Sequence, residues 1–285
     1  MRGPEQLFES EDHWVTSMGA WFPGERVVLR GKDLFHDLKD LSWMALLLFG
    51  ITGRIPDERQ VRLFEGIWAL STSFPEPRLW NNRVAALAGT SRSTGTLGVS
   101  AAIAVSEAII YGHRPLMAAM DFLLHIKNRL GSGTDLHQLL NEQFDKAKAS
   151  NRGRPGSGKN RQVAMIPGYG RPVTHKDERI QPLMQLAKGL GYADGPTVRL
   201  AFQVEQALLQ SGRNLHMNVA ALTAALAADQ GVTPRQYYYY VIMCFTAGII
   251  ACATDAFNQP AGAFFPLRCS HIQYEGKSRR VWVKP

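Results

Sequence analysis

A chain of 285 residues, 45% apolar and 20% charged, can build one large domain or one domain with a smaller companion; its composition is neither disordered nor halophilic. The formal net charge of +8 and a pI near 9.5 call for an anionic partner. The arginines recur singly (Arg30, Arg54, Arg83, Arg114, Arg171, Arg179, Arg268), which fits pockets for carboxylates and phosphates better than a nucleic-acid stripe.

The opening "MRGPEQLFES" has no apolar stretch, so no signal peptide is expected. "RVVLRG" from Arg26 reads as a short strand, and "RRVWVKP" at the end as another. Between them helix signals dominate. "DLKDLSWMALLLFGITGRIP" has apolar residues at helical spacing and stops at Gly53 and Pro56. Its "MALLLFGI" run is too short to cross a bilayer. "DERQVRLFEGIWALSTS" follows with an Asp cap and apolar Val61, Phe64, Ile67 and Trp68. "STGTLGVSAAIAVSEAIIYG" is small and apolar nearly all round, which predicts a helix buried on every side, in a core or at a dimer seam. Further helices are predicted over 116–130, 135–149, 179–190, 196–210, 218–229 and 234–257. The prediction is an almost all-α, soluble, cytoplasmic protein without a membrane span.

Three cysteines (Cys244, Cys252, Cys269) show no CxxC spacing, so buried reduced thiols are expected. His13, His36, His125, His137 and His271 lack the spacing of a metal site. The run 153–159 matches most of GxxxxGK, but Asn160 stands where a phosphate-binding loop needs Ser or Thr, and no strand precedes it; an exposed basic loop is the preferred reading. Tyr237 to Tyr240 point in all directions on a helix, which favours packing over a stacking platform.

Six segments in order then resemble citrate synthase-like proteins, in particular the short chains grouped as citryl-CoA lyase. "GERVVLRGKDLFHDL" looks like the family's strand-like opening turn. "SWMALLLFGITGRIPDERQVRLF" resembles its first helix pair. "IPGYGRPVTHKDERIQPLMQLAKGLG" is similar to "PGFGHPVHK-x-DPRA". "LHMNVAALTAALAADQGVTP" resembles "NVDGxxAAxxxxLGxP", with Gly231 in register. "FTAGIIACATDAFNQP" resembles "RxxGLxAHxxEE", and "FPLRCSHIQYEG" the closing "RPxxxYxG".

The resemblance implies an all-α homodimer, with the small-residue helix around 95–108 at the dimer seam. It implies an extension over 1–23 and a large helical domain formed by 24–150 and 231–285. A smaller CoA-binding domain would span 151–230, with an exposed loop at 151–162. The ligands implied are a coenzyme A thioester and a di- or tricarboxylate, with C–C bond formation or cleavage next to the thioester and no covalently bound cofactor or metal. The turn Pro167, Gly168, Tyr169, Gly170 would wrap CoA, with His175 and Lys176 at its phosphates. Asn218, Arg179 and, from the partner subunit's side, Arg268 would contact substrate.

Such chemistry needs a base at the carbon α to the thioester and donors to two carbonyl oxygens. The family's Asp is replaced by Ala220, which takes no proton. Its histidine after "PGFG" is Arg171, which still donates but does not exchange a proton near pH 7. His113 falls near the other family histidine, with Arg114 and Pro115 in place of paired glycines; it is either a catalytic donor or a surface-loop histidine. The "ADH" motif is absent from "LSTSFPEP", Phe245 replaces an arginine and Cys252 a histidine. Two readings follow: an acyl-CoA enzyme working with non-standard residues, His113 and Arg171 being its candidates, or an inactive paralogue that binds a CoA ester or carboxylate or partners an active relative.

Overall fold

The computed structural model describes residues 3–13, 15–71, 75–109, 111–151, 166–171, 176–263 and 268–280. The basic loop at 153–159, His175 and residues 281–285 lie outside these.

Twelve α-helices and one small sheet are present among the described residues. After α1 (Pro4–Ser10) comes an antiparallel three-stranded sheet, β1 (Gly19–Phe22), β2 (Arg26–Leu29) and β3 (Lys32–Asp33), in that spatial order. The expected "RVVL" strand is therefore real, but it is the centre of a sheet whose other two strands the sequence pattern did not show. At the far end, Arg279 and Arg280 are not in a strand.

The chain divides into two compact units, one of residues 1–72 and 106–246, the other of 73–105 and 247–285. In the first, α2 (Trp43–Thr52) starts at Ser42, whose hydroxyl accepts from the Ala45 N–H at 3.2 Å, and ends at Gly53 in the left-handed region. It is followed by α3 (Glu58–Ser71). α6 (His113–Gly131) begins three residues earlier than the periodicity suggested, because His113 N–H bonds back to Ser106 O at 2.9 Å. α7 (Leu136–Asn151), α8 (Ile180–Gly189), α9 (Pro196–Gln210) and α10 (Val219–Asp229) match the predicted helices to within two residues at each end.

The core helix is α10. Val219 through Ala227 are all buried, and the alanines among them let α6 and α9 approach closely. Leu222 and Leu226, both fully buried, each contribute about 1.5–3 kcal/mol of burial. The helix is anchored at both ends: Asn218 caps its start, and Gly231, at φ 72°, follows its end.

The single helix expected over 234–257 is instead α11 (Pro234–Ile242), a 3₁₀ turn at Met243–Phe245, and α12 (Thr246–Asn258). A Thr233–Gln236 capping box opens α11. Tyr237 and Tyr240 are fully buried and Tyr239 is half exposed, as packing requires. The run Pro234–Asn258 has the length and apolarity of a membrane span, yet half of its most apolar window is buried within the chain.

In the second unit, α4 (Trp80–Thr90) lies against α5 (Gly95–Val105), and Ala86, Cys252 and Ala256 form its core. The sequence pattern missed α4. The expectation that the small-residue helix is buried all round fails: only Gly98 and Ala102 of α5 are buried, while Leu97 is 62% exposed. Cys244 and Cys252 are buried and free. Among the described residues no group of His, Cys, Asp and Glu is arranged to hold a metal ion.

Candidate functional site

The turn 166–170 is tied to the start of α10, both in the first unit. Tyr169 pairs with Met217 in an antiparallel bridge, Gly170 N–H donates to His216 O at 2.7 Å, and Asn218 N–H donates to Gly168 O at 2.9 Å. Gly168 and Gly170 both sit at φ 86°, which a side chain disfavours. A Cβ on Gly168 would also lie 2.6 Å from the Ala221 Cβ, so this glycine is required by α10's approach as well as by the turn. Tyr169 faces inward. Its hydroxyl donates to Ala201 O at 2.7 Å, and burial pushes its pKa well up, so the ring anchors the turn. Pro167 is half-buried beside it.

Asn218 is a strut rather than an open ligand group. Its Oδ1 accepts from Ala220 N–H and its Nδ2 donates to Gly170 O, each at 2.9 Å. Ala220, 8% exposed, is thus held at the helix start, where the positive end of the helix dipole would favour an anion.

Beside this start lies an ionic cluster centred on Asp177, which the motif comparison overlooked. Its side chain is inaccessible to solvent. Oδ1 accepts from Arg179 Nε and Oδ2 from Arg179 Nη2, both at 2.8 Å, and Oδ2 also accepts from Val219 N–H at 2.9 Å. Burial by itself would raise this carboxyl's pKa. The Arg179 hydrogen bonds and charge, with the Val219 and Arg179 N–H groups, outweigh it and hold the pKa below the usual range. Asp-x-Arg just ahead of an apolar helix was the available signal. Arg171 Nη1 is 3.7 Å from Asp177 Oδ1 and hydrogen-bonds to Glu178 Oε2, whose pKa is lowered by its own backbone N–H and then by Arg171. Arg171 also reaches the carbonyl of Lys176, whose side chain is exposed. Both candidate anion-binding arginines therefore already face carboxylates of their own segment.

A third wall comes from the stretch before α6. Tyr111 and His113 both stack against Phe245, with ring centroids 5.8 and 5.2 Å apart. Burial raises the Tyr111 phenol's pKa, while the Arg179 and Arg171 cations lower it. The surface-loop reading of His113 is overturned: it is 1% exposed. Packing of α6's first turn under Phe245 buries it. Its Nδ1 lies 3.4 Å from Glu107 Oε2, and its Nε2 is buried without a hydrogen-bond partner. Burial pushes the imidazole pKa below its ordinary value, with Glu107 opposing, which favours the neutral ring.

The structure thus brings together Gly168, Gly170, Arg171, Arg179, Asn218 and Ala220, with His113 across the aromatic wall. Arg268 belongs to the second unit and is exposed.

No protein-family model and no curated protein sequence matches the chain. Solved structures do. Citryl-CoA lyase from Hydrogenobacter thermophilus superposes with a TM-score of 0.76 at 21% identity, over 95% of this chain and 97% of that one. An aspartate-to-alanine mutant of ATP citrate lyase from Methanosaeta concilii, in complex with (3S)-citryl-CoA, gives 0.71 at 15% identity, over 98% of this chain but 45% of that one. Citrate synthase from Thermoplasma acidophilum, in a ternary complex with carboxymethyl coenzyme A and oxaloacetate, gives 0.61 at 16%, over 85% and 59%. The fold is all-α and citrate synthase-like.

Proposed function

We propose that the chain binds an acyl-CoA and a di- or tricarboxylate and forms or breaks a C–C bond next to the thioester, using residues other than the family's Asp and second His. One observation carries this reading above the rest: the glycine turn 166–170 is built intact onto the start of α10, where Asp177 holds two arginines. The superposed citryl-CoA lyase, matched over nearly its whole length, supports it. So does a mutant of the same fold that lacks one aspartate and still holds (3S)-citryl-CoA. In this reading the turn and Lys176, with His175, receive the CoA portion, and Arg171 and Arg179 receive carboxylates once these displace Glu178 or Asp177. Arg268 reaches the site of a partner subunit. The exposed apolar face of α4 and α5, with Leu87 and Leu97, is the homodimer seam.

A second reading, an inactive paralogue that binds a CoA ester or partners an active relative, is favoured by one feature. Ala220 offers no base, and the arginines are neutralised internally. Measuring oxaloacetate and acetyl-CoA formed from citryl-CoA, and in reverse oxaloacetate consumed with acetyl-CoA, separates the two, since C–C cleavage leaves the thioester intact. Turnover supports the enzyme; tight CoA binding without turnover supports the paralogue.

A further inference from the structure

Glu107, the one charged residue of the apolar segment 93–112, is held by three partners. Tyr238 Oη donates to its Oε2 at 3.2 Å, Arg114 Nε lies 3.4 Å from its Oε1, and His113 Nδ1 lies 3.4 Å from its Oε2. A carboxylate only accepts, so Glu107 favours the neutral tautomer with its proton on Nδ1 and a lone pair on Nε2. That Nε2 is the buried atom without a partner. Among the described residues nothing satisfies it, and a buried polar atom left open in this way is what a substrate proton would meet. His113 is moreover fixed from three sides, by Phe245 against its ring, by the Ser106 carbonyl on its N–H and by the start of α6.

We propose that His113 Nε2 is the general base of this site, doing the work for which Ala220 is unequipped, and that Glu107 is its positioning residue. The inference rests on the acyl-CoA reading above. In the cleavage direction Nε2 takes the proton of a 3-hydroxyacyl thioester's hydroxyl. The C–O bond becomes C=O as the bond between the α and β carbons breaks, and that electron pair passes to the thioester enolate. The imidazolium Nε2–H then protonates the α carbon. One proton moves from oxygen to carbon, and no oxidant or reductant is needed. In reverse, the same Nε2 removes the α proton of the acyl-CoA.

The reverse half gives the test. The full-length protein is incubated with acetyl-CoA in D₂O, deuterium entry into the acetyl methyl is followed by mass spectrometry, and acetyl-CoA binding is measured in parallel by calorimetry. Exchange is expected in the wild type. His113→Gln should lower it by about 10²–10⁴-fold with acetyl-CoA binding little changed. Glu107→Ala should lower it by about 10–100-fold, with partial recovery in Glu107→Asp. Nitrogen-15 NMR of the wild-type imidazole, which needs no variant to fold, should show Nδ1 protonated and Nε2 bare, and Glu107→Ala should mix the tautomers. Binding without exchange, exchange undiminished in His113→Gln, or a protonated Nε2 each overturns the inference and leaves the acyl-CoA reading standing. Failure to bind acetyl-CoA at all overturns that reading and the inference with it.

Discussion

Replacing Asp177 by Asn keeps the size of a fully buried side chain while removing its charge. Asn Oδ1 can still accept the Val219 N–H, but its amide nitrogen then faces one arm of the Arg179 guanidinium, donor against donor. Arg179 and Arg171, with side chains 16% and 18% exposed, lose the carboxylate between them. Breaking a buried pair on one side costs about 3–5 kcal/mol; the residual solvent at both arginines brings this to about 2–3 kcal/mol. For a chain of 285 residues that is roughly 3–5 °C in Tm by calorimetry. The pH dependence is the sharper readout. Because the folded carboxyl is held below its unfolded value, its stabilisation is complete above about pH 4 and fades as pH falls through the folded value. The Tm gap between wild type and Asp177→Asn should therefore be full at pH 7 and close toward pH 3. A variant as stable as wild type at pH 7, or a gap that does not change with pH, would refute the reasoning.

Three further outcomes are expected. Gly168→Ala combines a left-handed backbone with a Cβ pressed on Ala221; it should cost about 1–3 kcal/mol in denaturant melts and abolish CoA binding in calorimetry. In the proposed homodimer, Leu97→Asp on the exposed face of α5 should shift the protein toward monomer in analytical ultracentrifugation without changing its circular dichroism. Ala220→Asp with Arg171→His should raise citryl-CoA cleavage above the wild-type level, the new carboxylate being favoured by the N-terminus of α10.

Much of the fold was legible because helical spacing and caps are local signals. Ser42, Thr233 with Gln236, and Asn218 before α10 each mark a helix start in the sequence and in the structure. The break at Met243–Phe245 was not legible, since its residues are as apolar as their neighbours and no Pro or Gly marks it. α5 misled because an apolar composition does not say which of its faces a neighbour covers. In the site, the glycine turn could be read from φ-demanding residues. The roles of Asp177 and Glu107 could not, because each depends on partners 42 and 131 positions away, Val219 and Tyr238. His113 was ambiguous for the same reason: Phe245, which buries it, is distant in the chain.

In the proposed function the turn at 166–170 and the arginines beside it receive a CoA thioester. Titration calorimetry of the full-length protein with CoA, acetyl-CoA and citryl-CoA tests it most directly. Binding in the micromolar-to-millimolar range, lost in Gly168→Ala, is the predicted result; no heat with any of the three in a folded protein would contradict it.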